Sequence, residues 1–154
     1  MEDPAALALG TATWIRAHPE RRAQVRIATT IYPPESPEAI TAAVGTAWQN
    51  LAVDYVDLLY LHKWDDDATT TDTLRALDAL RRQGLVCALR LSNARQGQLA
   101  SALAVQQQEG FTAFSRLQHN HNFAVRAAGP ELCRFGRTQG VQVITPPAPS
   151  ALAS

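Results

Sequence analysis

The sequence has almost no lysine, because Lys63 stands alone among thirteen arginines. Fourteen basic residues balance fourteen acidic residues, so the formal net charge is zero. No lysine- or arginine-rich run is present. Nucleic acids and anionic membranes bind clustered positive charge, and both are therefore poor candidate partners for this chain.

Cysteine is also scarce. Cys87 and Cys133 each lie alone in an apolar segment, and their spacing is not that of metal ligands. This pattern predicts two buried, reduced thiols rather than a disulfide framework or a zinc site.

No apolar run reaches the length of a transmembrane helix. The first residues, MEDPAALALGTATW, are acidic at their start and contain no basic segment, so they do not read as a secretion signal. We expect a cytoplasmic protein. Residues 1–154 are long enough for one domain with a core of its own. We expect its last residues, from about 145 to 154, to form a loose tail rich in proline and alanine.

Strand and helix patterns alternate along the chain. A helix is predicted from Pro4 to about His18, and four more over 37–51, 73–83, 96–109 and 130–138. Strands are predicted over 24–32, 55–62, 85–93, 114–121 and 141–145. Such alternation, with nearly continuous apolar strands, is typical of a parallel sheet joined by right-handed crossover helices.

Two parallel architectures fit, a doubly wound open sheet and part of an eight-stranded barrel. Neither GxGxxG nor GxxxxGK[ST] occurs, although nucleotide-binding open sheets usually carry one of these motifs. Polar residues instead follow the carboxyl ends of the strands: Thr29, Thr30, His62, Ser92, Asn93 and 118–122. Because catalytic groups of barrels lie at those ends, the sequence predicts an α/β fold, a partial TIM-type (β/α) barrel with about five parallel strands.

At these residues the chain resembles the aldo-keto reductase family. The matching segments occur in the family's order: RIATT, DYVDLLYLHKWD, LRALDALRRQG, LRLSN, LQHNHNF and VQVITPPAPSALAS. The resemblance implies a TIM barrel that binds NADPH without a Rossmann domain and reduces carbonyl groups by hydride transfer.

The family's catalytic groups are an aspartate, a tyrosine acid, a lysine that lowers the tyrosine pKa, and a histidine. By resemblance only His62 matches, and Thr30 stands in the lysine position. The segment that carries the aspartate and tyrosine is expected before residue 1, and the first two strands and the last strand have no counterpart. These departures imply that the isolated chain has little or no reductase activity.

The cofactor positions agree better with the family. Ser92, Asn93 and Gln118 match residues that hold the nicotinamide carboxamide, and hydroxyl and amide groups suit that ligand. The stacking tyrosine is lost, since the segment after Ile144 reads Thr-Pro-Pro-Ala-Pro. The resemblance therefore implies NADP(H) binding that is weak or lost.

Arg90 departs from the family, which has a small residue, usually glycine, at this position. Arg90 shares a strand face with Ser92, because side chains alternate along a strand. A guanidinium in a packed barrel interior is costly unless it is paired. The sequence thus predicts either a barrel that is not closed here, or an acidic partner or ligand for Arg90.

Other polar residues have two interpretations. His119 and His121 could join His62 and Asp65 or Asp66 in a metal site, but their spacing is not a known ligand pattern, so we expect loop histidines and no metal. The three aspartates from Asp65 to Asp67 precede a helix and are expected to stabilise its N-terminus.

Three functions remain open from the sequence. The chain could retain the nicotinamide subsite of an NADPH-dependent oxidoreductase. It could be a redox-free lyase, isomerase or cyclase that acts on a small molecule through His62, Arg90 and the His119/His121 pair. It could also be a non-catalytic interaction protein. A partial barrel exposes two sheet edges, so we expect self-association or a partner chain that covers them.

Overall fold

The computed structural model describes residues 13–32, 36–62, 64, 71–119 and 129–144. The five strands are β1 (Ala28–Ile31), β2 (Val56–Leu61), β3 (Val86–Ser92), β4 (Arg116–Gln118) and β5 (Gln142–Ile144). The helices are α1 (Pro37–Leu51), α2 (Thr71–Arg82), α3 (Gln96–Glu109) and α4 (Gly129–Thr138). A 3₁₀ helix, Pro19–Gln24, precedes β1, and residues 13–17 are also helical.

The strands form one parallel sheet in the order β1-β2-β3-β4-β5. Each neighbour in space is the next strand along the chain, so the winding never reverses. A doubly wound sheet reverses its strand order at a switch point, whereas a barrel does not. The chain therefore has the α/β architecture of a partial TIM-type barrel, as the sequence predicts.

One face of the sheet is apolar and carries the core. Residues in register across all five strands occupy it: Ile31, Leu61, Leu91, Leu117 and Val143. The first four are buried, and Val143 packs against them. Right-handed crossovers in a sheet of sequential order place every helix on the same side, and this apolar row is the side that helices can cover.

The opposite face is the side that a complete barrel encloses, and we call it the inner face. It is defined by a second row of residues in register: Thr30, Tyr60, Arg90, Arg116 and Gln142. This row is polar throughout. The two faces differ in polarity because successive side chains along each strand point to opposite faces of the sheet.

The helix ends follow the sequence signals. Ser36 caps α1, where its hydroxyl accepts a hydrogen bond from the Ala39 N–H, and Pro37 occupies the first turn. Gly110 and Gly140 follow α3 and α4 with φ of 68° and 70°, a conformation that favours glycine.

Two strands are shorter than predicted at their amino ends. The predicted β1 begins at Gln24, but Gln24 ends the 3₁₀ helix, which Arg22 holds against β2 through hydrogen bonds to the Tyr55 carbonyl and the Asp57 carboxylate, each 2.9 Å long. The predicted β4 begins at Phe114, but the Phe114 N–H donates to the side chain of Gln106 instead of to a strand.

The prediction of buried thiols is wrong for Cys87, which is exposed, while Cys133 is half-buried; both are free. Cys87 shares a sheet face with Leu89 and Leu91, but it lies near the amino end of β3, three residues before the pairing with β4 begins at Arg90, so no β4 residue pairs beside it. Trp64, two residues after His62, packs its indole against the core.

Several predictions fall outside the described residues. These are the helix before residue 13, the capping role of the aspartates from Asp65 to Asp67, the position of His121, and the tail from residue 145. In the part of the chain that the structure describes, no helix is long and apolar enough to cross a membrane.

Candidate functional site at the carboxyl ends of the strands

His62 directly follows β2, at the carboxyl edge of the sheet. Its backbone N–H donates to the Ile31 carbonyl over 2.8 Å, which continues the pairing of β1 with β2 by one residue. The imidazole is half-buried and lies against the ring of Tyr32, with 4.4 Å between ring centroids. The backbone of His62 is thus fixed by the sheet, and its imidazole contacts Tyr32, which is 66% exposed.

Asn93 connects three neighbouring strands. Its N–H donates to the Gln118 carbonyl over 2.8 Å, and its side-chain amide donates to the His62 carbonyl over 3.5 Å. Asn93 has φ of 52°, in the left-handed region that asparagine adopts more readily than most residues. This conformation turns the chain out of β3, and the ends of β2, β3 and β4 are joined at one point.

Ser92 and Gln118 lie side by side at the same edge. They are register partners in the pairing of β3 with β4, so their side chains leave the same face of the sheet. Ser92 is buried and Gln118 is half-buried. Within the described ranges, neither the Ser92 hydroxyl nor the Gln118 side-chain amide makes a hydrogen bond, so the capacity of both remains available to a ligand.

Thr30 occupies the position that the resemblance assigns to the family's lysine. It is exposed on edge strand β1, in register with Tyr60 of β2. The structure therefore places Thr30 on the inner face, one residue before Ile31, which ends β1.

Arg90 lies on the inner face below Ser92 and is only 7% exposed. Its Nη1 donates to the Tyr60 hydroxyl over 2.8 Å, and its guanidinium carbon lies 5.4 Å from the centroid of the Tyr60 ring. Its Nε is buried and has no hydrogen-bond partner in the part of the chain that the structure describes. The sequence predicts an open barrel, an acidic partner or a ligand, and across the described residues no carboxylate contacts Arg90.

His119 follows β4, and its N–H donates to the Ile144 carbonyl over 3.0 Å. Among the residues with described positions, no group of three or more histidine, cysteine, aspartate or glutamate side chains could hold a metal ion. His121, Asp65 and Asp66 lie outside those residues, so the metal alternative stays a hypothesis.

Sequence reasoning missed three residues of this region: Tyr32, Tyr60 and Arg116. Tyr60 and Arg116 each precede a named site residue by two positions, His62 and Gln118 respectively. Strand alternation puts residues two apart on one face, and this rule, which singled out Arg90, applies equally to them.

Two carboxylates outside this edge hold the scaffold together. Burial raises the pKa of Asp57, but the hydrogen bond from the Ile27 N–H and the adjacent Arg22 outweigh it, so the pKa lies below its ordinary value. Burial likewise raises the pKa of Asp78, and the hydrogen bond from the Thr112 N–H together with Arg82 brings it below the ordinary value. Both groups are therefore ionised at neutral pH.

Comparison with known proteins decides the family. The sequence pattern of the aldo/keto reductase family matches residues 6–153. The chain belongs to the aldo/keto reductase family. The motifs that carry the resemblance and the partial barrel agree with this assignment.

Individual relatives carry reductase names. The chain is 28% identical over 109 residues to the aldo-keto reductase dtxS3 of Metarhizium robertsii. The aligned region covers 71% of this chain and 30% of that protein. It is 30% identical over 104 residues to norsolorinic acid reductase of Aspergillus flavus, covering 68% and 27% respectively. It is 30% identical over 112 residues to aflatoxin B1 aldehyde reductase member 2 of Mus musculus, covering 70% and 30%.

The matched segment thus spans less than a third of each of these three relatives. The family match over residues 6–153 includes the strands that present His62, Ser92, Asn93 and Gln118. This aldo/keto reductase segment contains one side of the barrel's carboxyl edge.

Proposed function

We propose that the chain forms the nicotinamide-binding side of an NADP(H)-dependent carbonyl oxidoreductase site. This proposal rests on Ser92 and Gln118. The two residues are in register with each other at the carboxyl edge, and the hydrogen-bonding groups of both side chains are unused by the described residues. Their membership in an aldo/keto reductase segment supports the choice of ligand.

The side chains at this edge fit a carboxamide. A carboxamide offers one carbonyl acceptor and two N–H donors, and the Ser92 hydroxyl and Gln118 amide can each both donate and accept. Asn93 keeps the two strand ends together through its bond to the Gln118 carbonyl. Bound at this edge, the nicotinamide supplies the hydride, and the chain's own residues bind and orient it.

His62 would face the same edge from β2. A neutral imidazole can donate a hydrogen bond to a carbonyl oxygen and so favour negative charge on it. Thr30 cannot replace the family's lysine, because a hydroxyl carries no positive charge that would lower a tyrosine pKa. We therefore propose that reductase turnover by this chain alone is absent or very low, while cofactor binding is retained.

Thermal unfolding with and without NADPH tests the proposal. A ligand that binds only the folded state raises the midpoint, and a concentration of one hundred times Kd contributes about 2.7 kcal/mol. We expect NADPH to raise the midpoint of the wild type and to have a much smaller effect on Gln118→Leu.

Gln107→Leu is the matched control, because Gln107 is an exposed glutamine on α3, away from the carboxyl edge. An unfolding midpoint that NADPH leaves unchanged in the wild type, or that NADPH raises by the same amount in Gln118→Leu, would reject the nicotinamide site.

A redox-free reaction on a small molecule is the second candidate, and the buried guanidinium of Arg90 favours it, because reductase chemistry gives Arg90 no role. If the chain catalyses such a redox-free reaction, His62→Ala abolishes turnover and leaves NADPH binding unchanged. Screening of the purified chain against anionic small molecules, with His62→Ala beside it, separates the two candidates.

We further propose that a second copy or a partner chain covers the edge strands. Ala28 and Thr30 of β1 and Gln142 of β5 are exposed at the two edges of the described sheet. Sedimentation velocity is expected to show a species larger than 16.7 kDa, and a monomer at all concentrations would contradict the self-association.

A further inference from the structure

Two arginines stand next to each other on the inner face. Arg90 of β3 and Arg116 of β4 are register partners, so their side chains leave the same face of neighbouring strands. Adjacent strands are roughly 4.8 Å apart, so the two side chains start from neighbouring backbone positions. Like charges in directly paired positions destabilise a sheet.

Neither arginine is neutralised by the described chain. Arg116 is half-buried and has no hydrogen bond or ion pair with another described residue. Arg90 is more than nine-tenths buried, and its only hydrogen bond among those residues is to the neutral Tyr60 hydroxyl. A buried guanidinium is retained in proteins when it is paired, so this pair lacks its counter-charge.

Tyr60 fixes the direction of Arg90. The phenol oxygen accepts from Nη1 and the ring lies beneath the guanidinium carbon, so Arg90 is held from its β2 side. The Nε is buried and has no partner among the described residues. Arg90 is therefore a positioned, buried cation with one hydrogen-bond donor left unused.

We propose that Arg90 and Arg116 bind a compact oxyanion, a carboxylate or phosphate group of a small molecule, on the inner face of the sheet. The planar guanidinium matches the two oxygens of either group, and a charge-assisted pair is stronger than a neutral hydrogen bond. The anion removes the repulsion between the two arginines and satisfies the Arg90 Nε.

This oxyanion site is distinct from the proposed nicotinamide site. Arg90 precedes Ser92 by two residues, and Arg116 precedes Gln118 by two residues. Two residues of a parallel strand span roughly 6.6 Å, so the anion lies deeper along the sheet than the carboxamide. The inference therefore stands whether or not the chain binds NADP(H).

Thermal unfolding at constant ionic strength tests the site, with potassium chloride replaced stepwise by potassium phosphate or by potassium acetate. We expect saturable stabilisation of the wild type by at least one of the two anions. A larger effect of phosphate identifies a phosphate-bearing ligand, and a larger effect of acetate identifies a carboxylate.

Arg116→Met is the principal variant, because Arg116 is only half-buried and its replacement is well tolerated in volume. Loss of one charge-assisted contact corresponds to an affinity about tenfold lower or more. We expect the anion effect to disappear at the same concentrations in Arg116→Met and in Arg90→Met, and to persist in Arg81→Met, in which an exposed arginine of α2 is replaced.

A second readout needs no ligand and remains if Arg90→Met fails to fold. At low ionic strength Arg116→Met is expected to unfold at a higher temperature than the wild type, because the repulsion with Arg90 is gone. A midpoint that falls instead would show that Arg116 is satisfied by the chain itself and would overturn the proposal. Wild-type unfolding that is indifferent to both anions, or an anion effect that Arg116→Met keeps, would overturn it as well.

Discussion

Gln106 shows how one buried side chain can set the course of a segment. It is 1% exposed on α3, where its amide donates to the Thr112 carbonyl over 2.8 Å and its oxygen accepts from the Phe114 N–H over 3.2 Å. The segment before β4 therefore satisfies its backbone through a side chain instead of through the sheet. The sequence gives no sign of this, because a glutamine in a helix is normally solvent-exposed.

Replacing Gln106 by alanine is expected to destabilise the protein by about 1–3 kcal/mol, because two backbone groups lose their partner in a buried region. Chemical denaturation measures the change. Gln107→Ala, at an exposed position of the same helix, is expected to change the free energy of unfolding by less than about 0.5 kcal/mol. Equal effects of the two substitutions would mean that Gln106 does not bear these contacts.

Asp78 gives a pH dependence with a defined sign. Its pKa in the folded state lies below the ordinary value of 3.8, so the folded state favours the ionised carboxylate. The stabilisation is fully present above that ordinary value and is lost as the pH falls through the lower folded-state pKa. We expect the free energy of unfolding to fall below about pH 4 and to fall less steeply in Asp78→Asn.

Asp54→Asn is the control for this prediction, since Asp54 is exposed at a turn. Urea denaturation at several pH values between neutrality and pH 3 gives the slopes. A slope that stays the same in Asp78→Asn would contradict the assignment.

At the scale of elements, the helices were easier to predict than the strands. Helix α3 has the predicted bounds, 96–109, and α1 begins at the predicted proline, because cap residues and glycines mark helix ends locally. The start of β1 depends on Arg22, whose partners Tyr55 and Asp57 are more than thirty residues away. Contacts of this kind leave no local signal.

The packing of α4 against β5 depends on Gly136. A Cβ at this position would lie 2.7 Å from Val143 Cγ2 and 2.8 Å from the Val141 carbonyl oxygen. Because a backbone oxygen cannot rotate away, Gly136→Ala is expected to destabilise the protein by about 1–3 kcal/mol. The thermal midpoint measures this loss.

Gly45 of α1 is the matched control, since a Cβ there meets nothing within 4 Å. Gly45→Ala is expected to stabilise the protein by about 0.5–1 kcal/mol, because alanine loses less backbone entropy in a helix. We expect the two substitutions to change the stability in opposite directions. Destabilisation by both would show that close packing of α4 against β5 is not the cause of the loss in Gly136→Ala.

At the scale of the whole molecule, the sequential parallel sheet brings together residues far apart in the chain. His62, Asn93 and Gln118 meet at one edge because each directly follows or ends a neighbouring strand, and this much could be predicted from strand order alone. The burial of Arg90 against Tyr60 could not, because it depends on side-chain geometry between two strands. We expect residues 1–154 to unfold as one domain, in a single cooperative transition.

We propose that the carboxyl edge holds the nicotinamide end of the cofactor. Isothermal titration with the two halves of NADPH tests it most directly, using reduced nicotinamide mononucleotide and adenosine 2′,5′-bisphosphate. Reduced nicotinamide mononucleotide carries one phosphate and adenosine 2′,5′-bisphosphate carries two, so binding through phosphate alone would favour the adenine half, and a preference for the nicotinamide half reports recognition of the base. We expect the nicotinamide half to bind and Gln118→Leu to lose this binding, while the adenine half binds weakly or not at all. Equal binding of the two halves, or binding of the adenine half alone, would contradict it.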